Sequence, residues 1–68
     1  MKTITFEGKE YQVEDWVRYV ARDSDSYIYG YEHRPELHNQ SWEDDVNRNV
    51  FHIGWGDNIL WYESLKEV

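Results

Sequence analysis

Tyrosines stand at every second position of the run SYIYGYEHRP, at Tyr27, Tyr29 and Tyr31, and this spacing constrains the fold more than any other feature of the chain. A period of two belongs to an extended strand, whose alternate side chains point to one side of a sheet. Such a strand presents a row of phenol rings. The fold must either seal that row in a core or leave it open to a partner.

Size narrows the choice. At 68 residues the chain makes a single domain, residues 1–68. A domain this short buries only about 60% of the surface that its unfolded form exposes. Small domains commonly gain stability from disulfides, a metal or a partner, and there is no cysteine here to form a staple. That absence suits a reducing cytosol better than a secreted scaffold. The chain carries instead four Trp, six Tyr and two Phe. Each such ring covers roughly 150–250 Å² when buried, more in total than so small a core can hide. Some rings are expected to stay partly exposed or to meet another chain.

Fourteen acidic residues against seven basic ones give a formal net charge of −7. Neutralisation of phosphate by Lys and Arg dominates binding to nucleic acids and anionic membranes. Direct contact with DNA, RNA or a membrane is therefore not expected, whereas basic partners are favoured. The opening MKTITFEGKE lacks the apolar core of a signal peptide, and no apolar run approaches the length of a membrane span. These features predict a cytoplasmic protein that begins at its first strand.

TITFEGKEYQV predicts a hairpin: Ile4 and Phe6 alternate with threonines, Gly8 sits at the tip, and Tyr11 with Val13 return. WVRYVARDSDSYIYGYEH predicts a second, with Asp23 to Ser26 as its loop. Val13, Trp16, Val17, Val20 and Ala21 also fit a helical stripe, but the valines, the aromatics and the turn that follows favour a strand. A hairpin symmetric about that loop sets Arg22 against Tyr27, Val20 against Tyr29 and Arg18 against Tyr31. Its other surface holds Val17, Tyr19, Ala21, Ile28 and Gly30, with the Tyr19 ring covering Gly30. That surface is free of charge until Glu32 and is the expected inner side. The tyrosine surface carries two arginines, which cores rarely tolerate unpaired, so it is expected to lie partly outward.

Pro35, the only proline, ends the strand and opens the polar stretch ELHNQSWEDDVNRN, where Ser41 with Asp44 suits the cap of one helical turn. Further strands are expected from Val50 to Ile53 and from Ile59 to Tyr62, around a turn between Gly54 and Asn58. Five or six short strands predict an all-β or mainly β class, as a small antiparallel sheet or an SH3-like barrel.

Three pieces of the chain carry a likeness: WVRYVARDSDSYIYGYEHRPEL, the isolated tryptophan of SWEDD, and the closing WYESLKEV. Together, over residues 16–68, they resemble small tryptophan-rich proteins encoded by tailed phages and prophages. In that group a glycine commonly closes the D-x-D turn, whereas Ser26 stands there in this chain. The resemblance implies a phage origin and action inside an infected bacterium, where short acidic proteins of this kind often inhibit host enzymes or defence systems.

Chemistry is harder to find than contact. DSDSYIYGYEHR opens like a calcium loop, yet Ile28 occupies the position that needs glycine and Arg34 the position that needs glutamate. His33, His38 and His52 lack the spacing of a helical zinc pair, and GWGDNI lacks the strand–helix context of a phosphate loop. No cofactor or metal is expected. Adjacent carboxylates in a polar stretch are not placed to act as acid and base, so the chain is not expected to be an enzyme.

Two surfaces remain as candidates. One is the tyrosine–arginine face, comprising Trp16, Arg18, Arg22, Tyr27, Tyr29 and Tyr31. Tyr, Trp and Arg dominate the energetics of protein interfaces, and Arg stacked on a ring adds roughly 0.5–2 kcal/mol. The other is acidic, Glu43, Asp44 and Asp45, with Glu14, Asp15, Asp23 and Asp25 elsewhere, and can serve as solubilising charge or occupy the basic cleft of a nucleic-acid enzyme. The expected function is binding without catalysis: inhibition or redirection of a host bacterial protein, steered by acidic charge. Two other readings stay open. One is a binder that sequesters a signal nucleotide, stacking bases on rings and holding phosphate with Arg18, Arg22 or Arg34. The other is a phage accessory protein that spends its aromatics on a seam between its own copies.

Overall fold

The computed structural model describes residues 1–44, 49–57 and 59–68. Its first hairpin follows from its turn. Glu7 and Gly8 both adopt left-handed backbone, with φ of 52° and 83°, the two-residue turn whose twist matches that of the strands it joins. It links β1 (Lys2–Phe6) to an antiparallel β2 (Lys9–Val13), with Ile4 opposite Tyr11. Strand alternation puts Ile4, Phe6, Tyr11 and Val13 on one side and the threonines, Glu10 and Gln12 on the other.

The Glu14 carbonyl accepts the Val17 N–H at 3.1 Å, so the chain turns before it enters β3 (Tyr19–Arg22). Neither the helical stripe nor a strand beginning at Trp16 forms. Strand β4 (Tyr27–Tyr31) returns antiparallel to β3, but one residue out of the expected register. Ser26 takes a φ of 78°; its N–H donates to the Asp23 carbonyl and the Asp23 N–H to the Tyr27 carbonyl, each at 2.9 Å. This is a tight turn closed by a left-handed bulge residue. Arg22 therefore faces Ile28, Val20 faces Gly30, and Tyr19 faces Tyr31. A slip of one residue exchanges the faces: the tyrosines share a side with Tyr19 and Ala21, and Arg22 joins Val20 and Ile28. Gly30 is covered by Val17, not by Tyr19.

Left-handed backbone costs a residue other than glycine about 1–2 kcal/mol, against roughly 0.5–1 kcal/mol of extra chain entropy lost by glycine. Ser26→Gly is accordingly expected to stabilise the fold by about 0.5–1 kcal/mol. The urea midpoint should rise with the slope of the transition unchanged.

Beyond a buried Pro35 the chain forms β5 (Glu36–His38) and β6 (Ser41–Glu43), joined through a left-handed Asn39 at φ 53°. Ser41 pairs with His38 in this hairpin, which replaces the helical turn expected at Ser41 and Asp44. Strand β7 (Val50–Trp55) pairs with β4, and β8 (Lys66–Glu67) with β3, giving the order β7-β4-β3-β8. The strand expected from Ile59 to Tyr62 does not form. Asp57 Oδ1 accepts the Ile59 N–H at 3.1 Å, an Asx turn; Leu60 is left-handed and Trp61–Glu63 make one 3-10 turn. The result is an all-β fold of small antiparallel sheets, none of them closed into a barrel among the described residues.

The β1–β2 hairpin covers one face of the four-stranded sheet. Ile4, Phe6 and Val13 meet Val17, Val20 and Ile28, and Tyr11, Trp16, Phe51, Ile53 and Val68 pack around them. Burial of each large apolar side chain contributes about 1.5–3 kcal/mol. At the margin lies Arg22, whose side chain is 5% exposed. Its guanidinium pairs with Glu7 from the β1–β2 turn, approaches Asp57 at 3.7 Å and donates to the Ile59 carbonyl. The Ser64 hydroxyl accepts the Arg22 N–H at 2.8 Å, replacing a strand partner beyond the end of β8.

Candidate functional site

The opposite face of the sheet carries the tyrosine row. There β7 sets Trp55 against Tyr27, His52 against Tyr29 and Val50 against Tyr31. The register shifts between Ile28 and Tyr29, which inserts one extra residue in β7. Ile53 packs on the core and Gly54 pairs with Ile28, so His52 and Trp55 both reach the outer side. Tyr27 stands edge-on to His52 at 5.1 Å between centroids, and to Trp55 and Tyr29 at 6.5 Å each. Tyr29 and His52 are 5.4 Å apart. Edge-to-face pairs of this kind add about 0.5–1.5 kcal/mol each, which fixes the rings even though Trp55 is 68% and Tyr27 43% exposed. A hollow of about 440 Å³ lies between Asp25, Ser26, Tyr27 and Trp55.

Exposure falls along the row. Tyr29 is half-buried, and Tyr31 is 3% exposed where the β5–β6 hairpin meets the sheet. Trp42 fastens that hairpin: its backbone N–H donates to Asp23 Oδ1 at 3.0 Å and its indole N–H to the Trp61 carbonyl at 3.2 Å. The Ser24 hydroxyl adds a bond to the Gln40 carbonyl at 2.7 Å. Beside this junction a cleft of about 340 Å³ opens between Asp23, Tyr29, Tyr31, Trp42, Glu43, Asp44 and Val50. Burial pushes the Asp23 carboxyl above the usual carboxylate range; the Trp42 N–H opposes this, and Asp25 and Glu43 add to it. Burial likewise raises the Tyr31 and Tyr29 phenols, so both stay neutral donors at physiological pH.

Of the residues expected on one aromatic–basic face, only the exposed Tyr27 and the half-buried Tyr29 stand together on the outer side in ring contact. Tyr31 shares their side but lines the cleft floor. Trp16 packs against the core, and Arg18 is exposed just before β3. Arg22, 4% exposed, is turned inward by the register and bound to Glu7. Glu43 and Asp44 line the cleft, whereas Asp45 lies outside the described residues. The sequence reading missed Trp55, His52 and Trp42 as site residues. Trp55 stands between two glycines and reads as a turn; Trp42 was visible as an isolated tryptophan but without a partner strand.

Comparison with protein-family models, curated proteins and solved structures finds no match to the chain. No helix among the described residues is long and apolar enough to cross a membrane. The fold and the site define an all-β protein with fixed rings and carboxylates displayed on one side. Such a face can hold a ligand by apolar contact and by charge.

Proposed function

We propose that this chain is a phage-type binding protein, without catalysis, that inhibits or redirects a host protein of defence or nucleic-acid processing in the cytoplasm of an infected bacterium. The observation that carries this reading is the open Tyr27–His52–Trp55 cluster beside an acidic cleft. Rigid aromatic anchors at the centre of a patch supply most of the energy in protein interfaces. Surrounding carboxylates speed and orient the approach of a basic partner. Among the described residues lining the hollow and the cleft there is no lysine or arginine to meet a phosphate. That disfavours a nucleotide at these two sites.

Tagged protein passed through bacterial lysate is expected to retain a specific partner. Trp55→Ala is expected to weaken its affinity by about 30-fold or more, the loss of about 2 kcal/mol that marks a central anchor. The ring is mostly exposed and loses one edge contact to Tyr27, so the thermal midpoint should fall by only about 2–10 °C and the fold should persist. Recovery of the bait alone, or equal affinity for the variant, defeats the proposal. Sedimentation of the same samples separates capture of a partner from association of the chain with itself.

A further inference from the structure

We propose that the cleft beside the aromatic row receives the arginine or lysine head group of a basic segment of the protein partner, while the rest of that segment crosses Tyr27 and Trp55. The inference rests on the binding function proposed above and names the chemistry of what is bound.

The lining is the first argument. Tyr29, Tyr31 and Trp42 provide ring surface and Asp23 and Glu43 provide carboxylates; none of the described lining residues is basic. A guanidinium or ammonium group gains from both, through charge-assisted hydrogen bonds to carboxylate and through attraction to ring faces. A neutral head group lacks the charge-assisted part of both, and an anionic one is repelled by the carboxylates.

Position is the second. Asp23 is anchored at the cleft by the Trp42 N–H at 3.0 Å, and Glu43 accepts the Ser41 hydroxyl at 3.1 Å. Both carboxylates are thus oriented by neutral partners, and among the described residues no lysine or arginine is paired with either. Partial burial near Asp25 and Glu43 disfavours the ionised form of Asp23, a cost that an arriving cation offsets. Tyr29 lines the cleft and also touches Tyr27 and His52, so the cleft is continuous with the open rings. A segment lying on Tyr27 and Trp55 can place a side chain in it.

Charge complementarity selects the occupant. With fourteen acidic residues against seven basic ones, the chain attracts basic segments and repels acidic ones before contact is made.

The test is calorimetric titration of the intact protein with a short glycine-rich peptide that carries two arginines, and with the same peptide carrying citrulline in their place. The arginine peptide is expected to bind, to weaken as salt is raised, and to exceed the citrulline peptide by about tenfold or more. Asp23→Asn keeps an oxygen for the Trp42 N–H, and Glu43→Gln alters an exposed side chain, so circular dichroism should report an intact fold for each. Both are expected to weaken the arginine peptide about fivefold or more. Equal binding of the citrulline peptide, or undiminished binding by both variants, overturns the inference. So does spermidine binding as tightly as the peptide, which would make the cleft a receptor for free amines. If both variants retain the lysate partner fully and Trp55→Ala does not, the inference falls while the proposed function stands.

Discussion

Gly30→Ala is expected to lower stability by about 2–3 kcal/mol, a large part of the roughly 3–10 kcal/mol available to a chain of this length. A Cβ at this position would lie 2.8 and 3.0 Å from the two γ carbons of Val17 and 3.2 Å from Ile53 Cδ1. The isoleucine tip can swing aside. Val17 cannot, because a β-branched side chain has little rotamer freedom and this one is fully buried. The thermal midpoint should fall by about 10–20 °C. The contact identifies its own suppressor. Val17→Ala alone opens a cavity and destabilises the fold, yet combined with Gly30→Ala it vacates the space that the new methyl needs. The double variant should be more stable than the sum of the single effects by about 1 kcal/mol or more. Strict additivity would show that Val17 does not set the limit at Gly30.

The second large effect is expected at Arg22. Its side chain is nearly inaccessible and ties the β1–β2 turn to the segment after β7 through Glu7, Asp57 and the Ile59 carbonyl. Arg22→Ala removes the packing of the stem together with these links and is expected to cost about 2–3 kcal/mol, read from the urea midpoint. The full penalty for breaking a buried pair does not apply, because Glu7 and Asp57 are 45% and 72% exposed and return to water when freed. Arg22→Met should recover about half of the loss. It restores the stem and deletes an Nε that has no acceptor among the described residues. A methionine variant as unstable as the alanine one would show that the charge, not the packing, holds this corner.

The outcome at Arg22 also explains what the sequence concealed. The first hairpin is legible because Gly8 marks the turn and Ile4, Phe6, Tyr11 and Val13 alternate without interruption. The second is legible as a hairpin but not in register. A serine in the left-handed position leaves no trace in a pattern of hydrophobicity, and its single residue of displacement moved Arg22 from the expected outer face to the inner one. Strands of three residues, as in β5 and β6, are too short to show a period, and Leu37 and Trp42 are their only large apolar residues. Ile59 to Tyr62 shows the converse. Four apolar or aromatic residues in a row suggest a strand, yet the Asp57 carboxylate accepts the Ile59 N–H and starts a turn there. The tyrosine half of the site could be read because one strand holds it. The other half comes from β7 and β6, and no local pattern announces a pairing between segments so far apart in the chain.

The extra residue in β7 bears on kinship. In an uninterrupted strand, side chains that emerge together are separated by an even interval, whereas His52 and Trp55 are three positions apart. A descendant or ancestor with the same face would preserve an odd interval between its two rings and would fail any search built on strict alternation. Related chains are better sought by ring, two intervening residues and ring near a tyrosine ladder than by overall resemblance.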